Sequence, residues 1–275
     1  MAGAFTQFGT SDIINSIDSI TGTVWSGNQP RLTVAFTSSV QNASNTGNFY
    51  VHVYQTSSAN TTAAVQFDIA YADEVGSGSL AYNALVPGKS PSSTIFGQYQ
   101  NIALGDDVDP FIFGDRTGSY FYALPIERAR YKESLALGTM ALSLTGTGEV
   151  TLTDNSNIST GNVFGNAGRV YQVVSGSEGA VYTGLNANGF TPGSGSYGLF
   201  LPDVGLILLN GEALDGTKGV AIDGFRLNSQ ETLASDFYFV RAQNAEFNYS
   251  SNPSFVTGST GALLWPTMQN NPQTF

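Results

Sequence analysis

The sequence predicts an all-β protein, an antiparallel β-sandwich architecture of two β-modules with little helix. Three observations carry that prediction. Charged residues are only 11% of the chain, against about 25% in ordinary soluble domains, so polarity falls to Ser, Thr, Asn and Gln, which suit strands and turns. Aromatic residues reach 12% and glycines number 32, the first favouring strands and the second turns. Apolar residues also alternate with a period of two in many short runs, and almost nowhere at helical spacing.

The elements follow in order. Residues 1–30 read as an N-terminal arm, with a weak helical pattern at Ser11–Ile20, where Ile13, Ile14 and Ile17 share a face, or equally an arm that orders only against a neighbour. Leu32, Val34 and Phe36 open the strand series, and Phe49–Tyr54 follows after a Ser/Asn/Gly loop. Val65–Tyr71 alternates most cleanly, with Val65, Phe67, Ile69 and Tyr71 inward and Gln66, Asp68 and Ala70 outward. Gly76–Gly97 reads as loop, with a short ordered segment over Ile95–Ala103. Phe111–Phe113 and Tyr120–Leu124 are strands, and Ile126–Leu135 is dense in charge, compatible with a helix or with one strand face.

Met140–Leu144, Val150–Leu152 and Arg169–Val174 continue the pattern. Gly193–Asn210 holds two apolar runs broken at Pro202–Asp203, which marks an edge, a bend or a loop. Ile222–Leu227 and Phe237–Phe247 close the series, the second with Phe237, Phe239 and Arg241 on one face. The expected organisation is a first β-sandwich module of 31–137 plus 236–275, with 138–235 as a second.

Composition bounds the partners. A net charge of −11 and a pI near 4.3 oppose nucleic acid and anionic membranes. No run approaches the length of a membrane-spanning helix. The start MAGAFTQFGTSD lacks the basic and apolar regions of a secretory leader. With no cysteine, thiolate chemistry, disulfides and cysteine-based zinc sites drop out.

Chemical motifs are weak. Gly193-x-Gly195-x-x-Gly198 has dinucleotide spacing, but a strand-like run follows where that motif needs a helix. Pro87-Gly88-Lys89-Ser90 resembles the end of a phosphate loop, yet Asn83 stands where its first glycine belongs. His52, the single histidine, lies between Val51 and Val53 and reads as a packed or interface residue rather than a catalytic one. Asp106, Asp107 and Asp109 lack the calcium-loop spacing and read as an acidic turn. No catalytic residue, cofactor or metal is expected.

Two segments read as protein interface. Arg128, Arg130, Lys132 and Glu133 concentrate charge in a chain that has little, which suits contacts with a partner or bridges within the chain. In the second, an aromatic strand carrying Arg241 feeds a polar loop with Phe247, Asn248, Tyr249, Asn252, Pro253 and Phe255.

Several segments together resemble virion structural proteins of marine, T4-like contractile-tailed phages. They include Trp25-Ser26-Gly27-Asn28, Val65-Gln66-Phe67, Ile126–Glu133, Gly168-Arg169-Val170-Tyr171 and Gly195–Asn210. The closest likeness is Phe247–Pro253 with Val256-Thr257-Gly258-Ser259. The resemblance implies a non-enzymatic structural component of the virion, first of the tail baseplate, alternatively of the neck or capsid surface. Its expected partners are other virion proteins and further copies of itself, assembled in the host bacterial cytoplasm by multivalent protein–protein contacts. Members of that family continue past the equivalent of Phe275 with a further β-rich tail. Two other readings stay open: a carbohydrate-binding tail or surface module, from Tyr and Trp near acidic loops, and a β-rich hydrolase using an acidic pair among Asp106, Asp107 and Asp109.

Overall fold

The computed structural model describes residues 8–33, 35–39, 50–78, 85, 90–146, 149–182, 194–214 and 221–239. Strands β1 (Ile13–Thr23), β2 (Phe36–Ser39), β3 (Tyr50–Tyr54) and β4 (Val65–Asp73) lead to helix α1 (Pro91–Ala103). Then come β5 (Ile112–Phe113), β6 (Arg116–Thr117), β7 (Tyr120–Pro125), β8 (Ser134–Leu135), β9 (Ala141–Thr145) and β10 (Val150–Asp154). The later strands are β11 (Asn162–Phe164), β12 (Gly168–Ser177), β13 (Ala180–Val181), β14 (Gly198–Leu201) and β15 (Leu206–Asn210). A single helical turn, α2 (Gly211–Leu214), precedes β16 (Ala221–Arg226) and β17 (Asn228–Tyr238).

The all-β prediction holds. Ten strands form one path, β16-β9-β10-β12-β14-β15-β7-β4-β3-β2, with β11 and β13 attached to β12. Every neighbouring pair on that path is antiparallel. The expected boundary near residue 138 falls inside this sheet, because β7 and β15 are hydrogen-bonded neighbours over Phe121–Pro125 and Leu206–Asn210. By its contacts the chain divides into two units, Ser19–Thr232 and Met1–Asp18 with Leu233–Phe275.

The central strands are buried on both faces, and period-two alternation divides each between two cores. In β14, Leu199 and Leu201 enter one core while Phe200 enters the other. In β15, Leu206 and Leu208 join the first and Ile207 and Leu209 the second. This is why Gly195–Asn210 reads as nearly unbroken apolar sequence. Pro202 and Asp203 form the turn between the two strands, one of the three options its sequence offered.

Helix α1 covers one of those cores. Gly76–Gly97 is therefore only partly loop: Pro91 takes the first helical position, where its missing N–H costs nothing, and Ser90 N–H donates to Ser93 Oγ at 3.2 Å. Phe96, Gln100 and Ala103 recur at helical spacing and are buried. Two of the three residues of β4 expected to point outward are buried as well. Ala70 packs in the core beneath α1, and Gln66 is 1% exposed, bonded to Gln55 and Ser26.

The other core lies where the sheet curls onto itself. Phe67 on β4 meets Phe225 on β16, and Trp25 packs against both, at 5.8 and 5.0 Å between ring centroids. Leu32 and Phe225 exchange two backbone hydrogen bonds of 2.8 Å, which ties the Val24–Leu32 segment across the seam. The sheet thus faces itself across this core, as a sandwich requires.

Candidate interaction surface

The charged segment after β7 is spent mainly within the chain. Residues 128–130 form one 3-10 turn rather than a longer helix or a strand. Arg130 is its anchor: Nη1 donates to the Val24 carbonyl at 3.2 Å and to Ser26 Oγ at 3.2 Å, and Nη2 donates to the Val65 carbonyl. Arg128 stacks over the Tyr131 ring at 4.6 Å and donates to the carbonyls of Tyr131 and Lys132. Glu133 accepts from the Thr232 N–H at 2.8 Å, a bond that holds its carboxyl below the usual range. Lys132 lies 3.9 Å from Glu231 with its side chain exposed. Of the two readings of this cluster, these contacts are the intramolecular one. Arg241, Phe247, Asn248, Tyr249, Asn252, Pro253 and Phe255 lie outside the described residues.

In the smaller unit, the ends of β1 and β17 run side by side, the two strands being hydrogen-bonded neighbours. Phe239 N–H donates to the Asp12 carbonyl at 2.8 Å and Asn15 Nδ2 donates to Asp236 Oδ1 at 2.6 Å, so partners descend in one strand as they ascend in the other. That makes the ribbon antiparallel. The helical expectation for Ser11–Ile20 is corrected: only Thr10–Asp12 makes a 3-10 turn and the rest is strand. β-branched isoleucines favour the extended form once a partner strand is supplied.

Directly opposite residues share a face. Ile14, Leu233 and Phe237 fall on one side of the ribbon, and Ile17 and Tyr238 on the other. All five are exposed, Ile17 to 74% and Phe237 to 53%. Among the described residues, the ring of Phe8 lies 5.8 Å from that of Tyr238. The sequence singles out Phe237 and Phe239, reads Ile14 and Ile17 as a helical face because their spacing fits a helix as well as a strand, and gives no signal for Leu233.

The remaining motifs have structural uses. His52 Nδ1 lies 2.5 Å from Asp68 Oδ1 between the ring edges of Tyr50 and Tyr54. Tyr50 donates to Asp68 Oδ2 at 2.8 Å. Burial and this bond push its hydroxyl up to about 12. Asp106 accepts from the N–H groups of Asp109 and Val108, in that order of effect, which lowers its pKa and closes its own turn. No group of three His, Asp or Glu side chains converges on a metal position among the described residues. Gly195 has φ +76° and leads into β14, so the glycine spacing ends in a strand.

No helix among the described residues is long and apolar enough to cross a membrane. Comparison with protein-family models, with curated proteins and with solved structures finds no match to this chain.

Proposed function

We propose that the chain is a structural assembly component whose β1/β17 ribbon is completed by another polypeptide subunit. One observation carries this: an antiparallel ribbon that exposes Ile14, Leu233 and Phe237 on one face and Ile17 and Tyr238 on the other. Exposed apolar residues on a strand that ends its sheet among the described residues, as β1 does, are templates for pairing with a further chain. The resemblance of the sequence to virion proteins supplies the address. The assembly is the particle of a contractile-tailed phage, with the baseplate as the first position and the neck or capsid surface as the next.

Two measurements test the reading. Light scattering on the intact chain, alone and with other virion proteins, should show association that Ile14→Asp with Ile17→Asp abolishes while the circular dichroism of the large sheet persists. Association unaffected by those changes would remove the ribbon from the interface. Antibody labelling of intact particles in negative stain should then mark the tail end; particles that never take up label would dispose of the virion assignment.

A further inference from the structure

The core enclosed by the curled sheet is filled unevenly. Strand β4 sends Phe67, Ile69 and Tyr71 towards it, and β16 sends Phe225 and Ile222. At the Phe67 end, the rings of Trp25, Phe67 and Phe225 close the space, with centroids 5.0 to 5.8 Å apart. Further along β4 the space stays open, as a cavity of about 150 Å³.

Strand register places the walls of this cavity. Tyr71, Tyr122 and Leu209 stand side by side on β4, β7 and β15, and Val51 of β3 stands opposite Ile69 of β4. On the facing wall, Leu144 of β9 is the register partner of Ile222 of β16. Leu214, at the end of α2, borders the same space. The leucines are buried, whereas Val51, Ile69, Tyr71, Tyr122 and Ile222 are half-buried and give the cavity a mouth.

The lining is chemically uniform. Among the described residues it is aliphatic side chains and two tyrosines, with no Asp, Glu, Lys or Arg. Tyr71 turns its hydroxyl to Asp73 at 3.3 Å, a residue outside the lining. An ion or a sugar entering here would lose its water and find little to replace it. Folded cores hold few voids larger than a water molecule, and an empty apolar one costs stability in proportion to its volume. Apolar cavities of about this volume stay dry and take up benzene or xenon.

We propose that this cavity binds a small uncharged apolar molecule, a single ring or an alkyl chain of similar volume. Its size selects that occupant over a protein partner. A stable protein interface buries on the order of 1,000 Å² or more, whereas this space admits little beyond one ring. The walls belong entirely to the Ser19–Thr232 unit. The site is independent of the ribbon and of the assembly reading.

The test is a titration of the intact, isotope-labelled chain with benzene, and with sodium benzoate as the charged control. The readout is the methyl resonances of Val51, Ile69, Leu144, Leu209 and Ile222. Benzene should shift them saturably with a Kd of about 1 mM or tighter, and should raise the melting temperature. Benzoate should bind at least about tenfold more weakly, because its carboxylate would be desolvated without a partner. Val51→Phe and Ile222→Phe each add a ring at the mouth and should weaken benzene binding at least about tenfold, with the far-ultraviolet circular dichroism unchanged. Methyl resonances that benzene leaves unmoved, as a cavity already filled by the chain would give, overturn the proposal. Equal response to benzoate, or shifts that survive in both phenylalanine variants, would put the binding outside the cavity and overturn it as well.

Discussion

Phe67 and Phe225 stand on strands separated by six others along the sheet, yet their rings meet at 5.6 Å and 86°. That edge-to-face contact marks the closure of the curled sheet. Phe225 is fully buried and Phe67 nearly so. Either residue changed to alanine should cost about 3–5 kcal/mol in urea unfolding. A double-mutant cycle should return a coupling of about 0.5–1.5 kcal/mol. Additive losses would mean that the two ends of the sheet do not depend on each other.

Arg130 and its charged neighbours should separate cleanly. Arg130→Ala removes a donor from the Val24 and Val65 carbonyls and should cost about 2–3 kcal/mol. Lys132→Ala, at an exposed side chain, should stay within about 0.5 kcal/mol. Thermal melts of the two variants measure this; equal losses would put Arg130 on the surface in practice.

Gly195→Ala tests what the glycine spacing is for. The backbone there has φ +76°, and an added Cβ would lie 2.0 Å from the Phe113 carbonyl oxygen. The carbonyl is backbone and cannot swing away, so the variant should lose more than about 2 kcal/mol. Unchanged stability would show that β5 is free to shift.

Acid should loosen the β14–β15 turn. Arg169 holds Asp203 through its guanidinium at 2.5 Å and through its backbone N–H at 2.8 Å. Burial works to raise the Asp203 carboxyl, but these bonds outweigh it and leave the pKa lowered. A depressed carboxyl contributes stability that is present above its unfolded pKa, about 3.9, and disappears as pH falls through the folded value. Asp203→Asn should therefore destabilise the chain near neutrality by about 1 kcal/mol, since the pair is partly exposed, and should flatten the acid limb of the stability profile. A parallel limb in both proteins would exclude Asp203 from that titration.

What the sequence determined by itself was the class of structure. Alternation at Val65–Tyr71, Met140–Leu144 and Arg169–Val174, with glycine turns between, depends on the two-residue repeat of a strand, which is local. Tertiary contact decided the rest. Gln66 looks like a surface residue until Ser26 and Gln55 arrive from elsewhere in the chain to satisfy its amide. Ile13–Ile20 becomes strand because β17, more than two hundred residues later, supplies its hydrogen bonds. Arg130 becomes a clamp because the carbonyls of Val24 and Val65 converge on it. Trp25, Phe67 and Phe225 form one core only because the sheet curls and brings β4 and β16 together. Such pairings have no local period to read, since their energy comes from groups that are distant along the chain and adjacent in space.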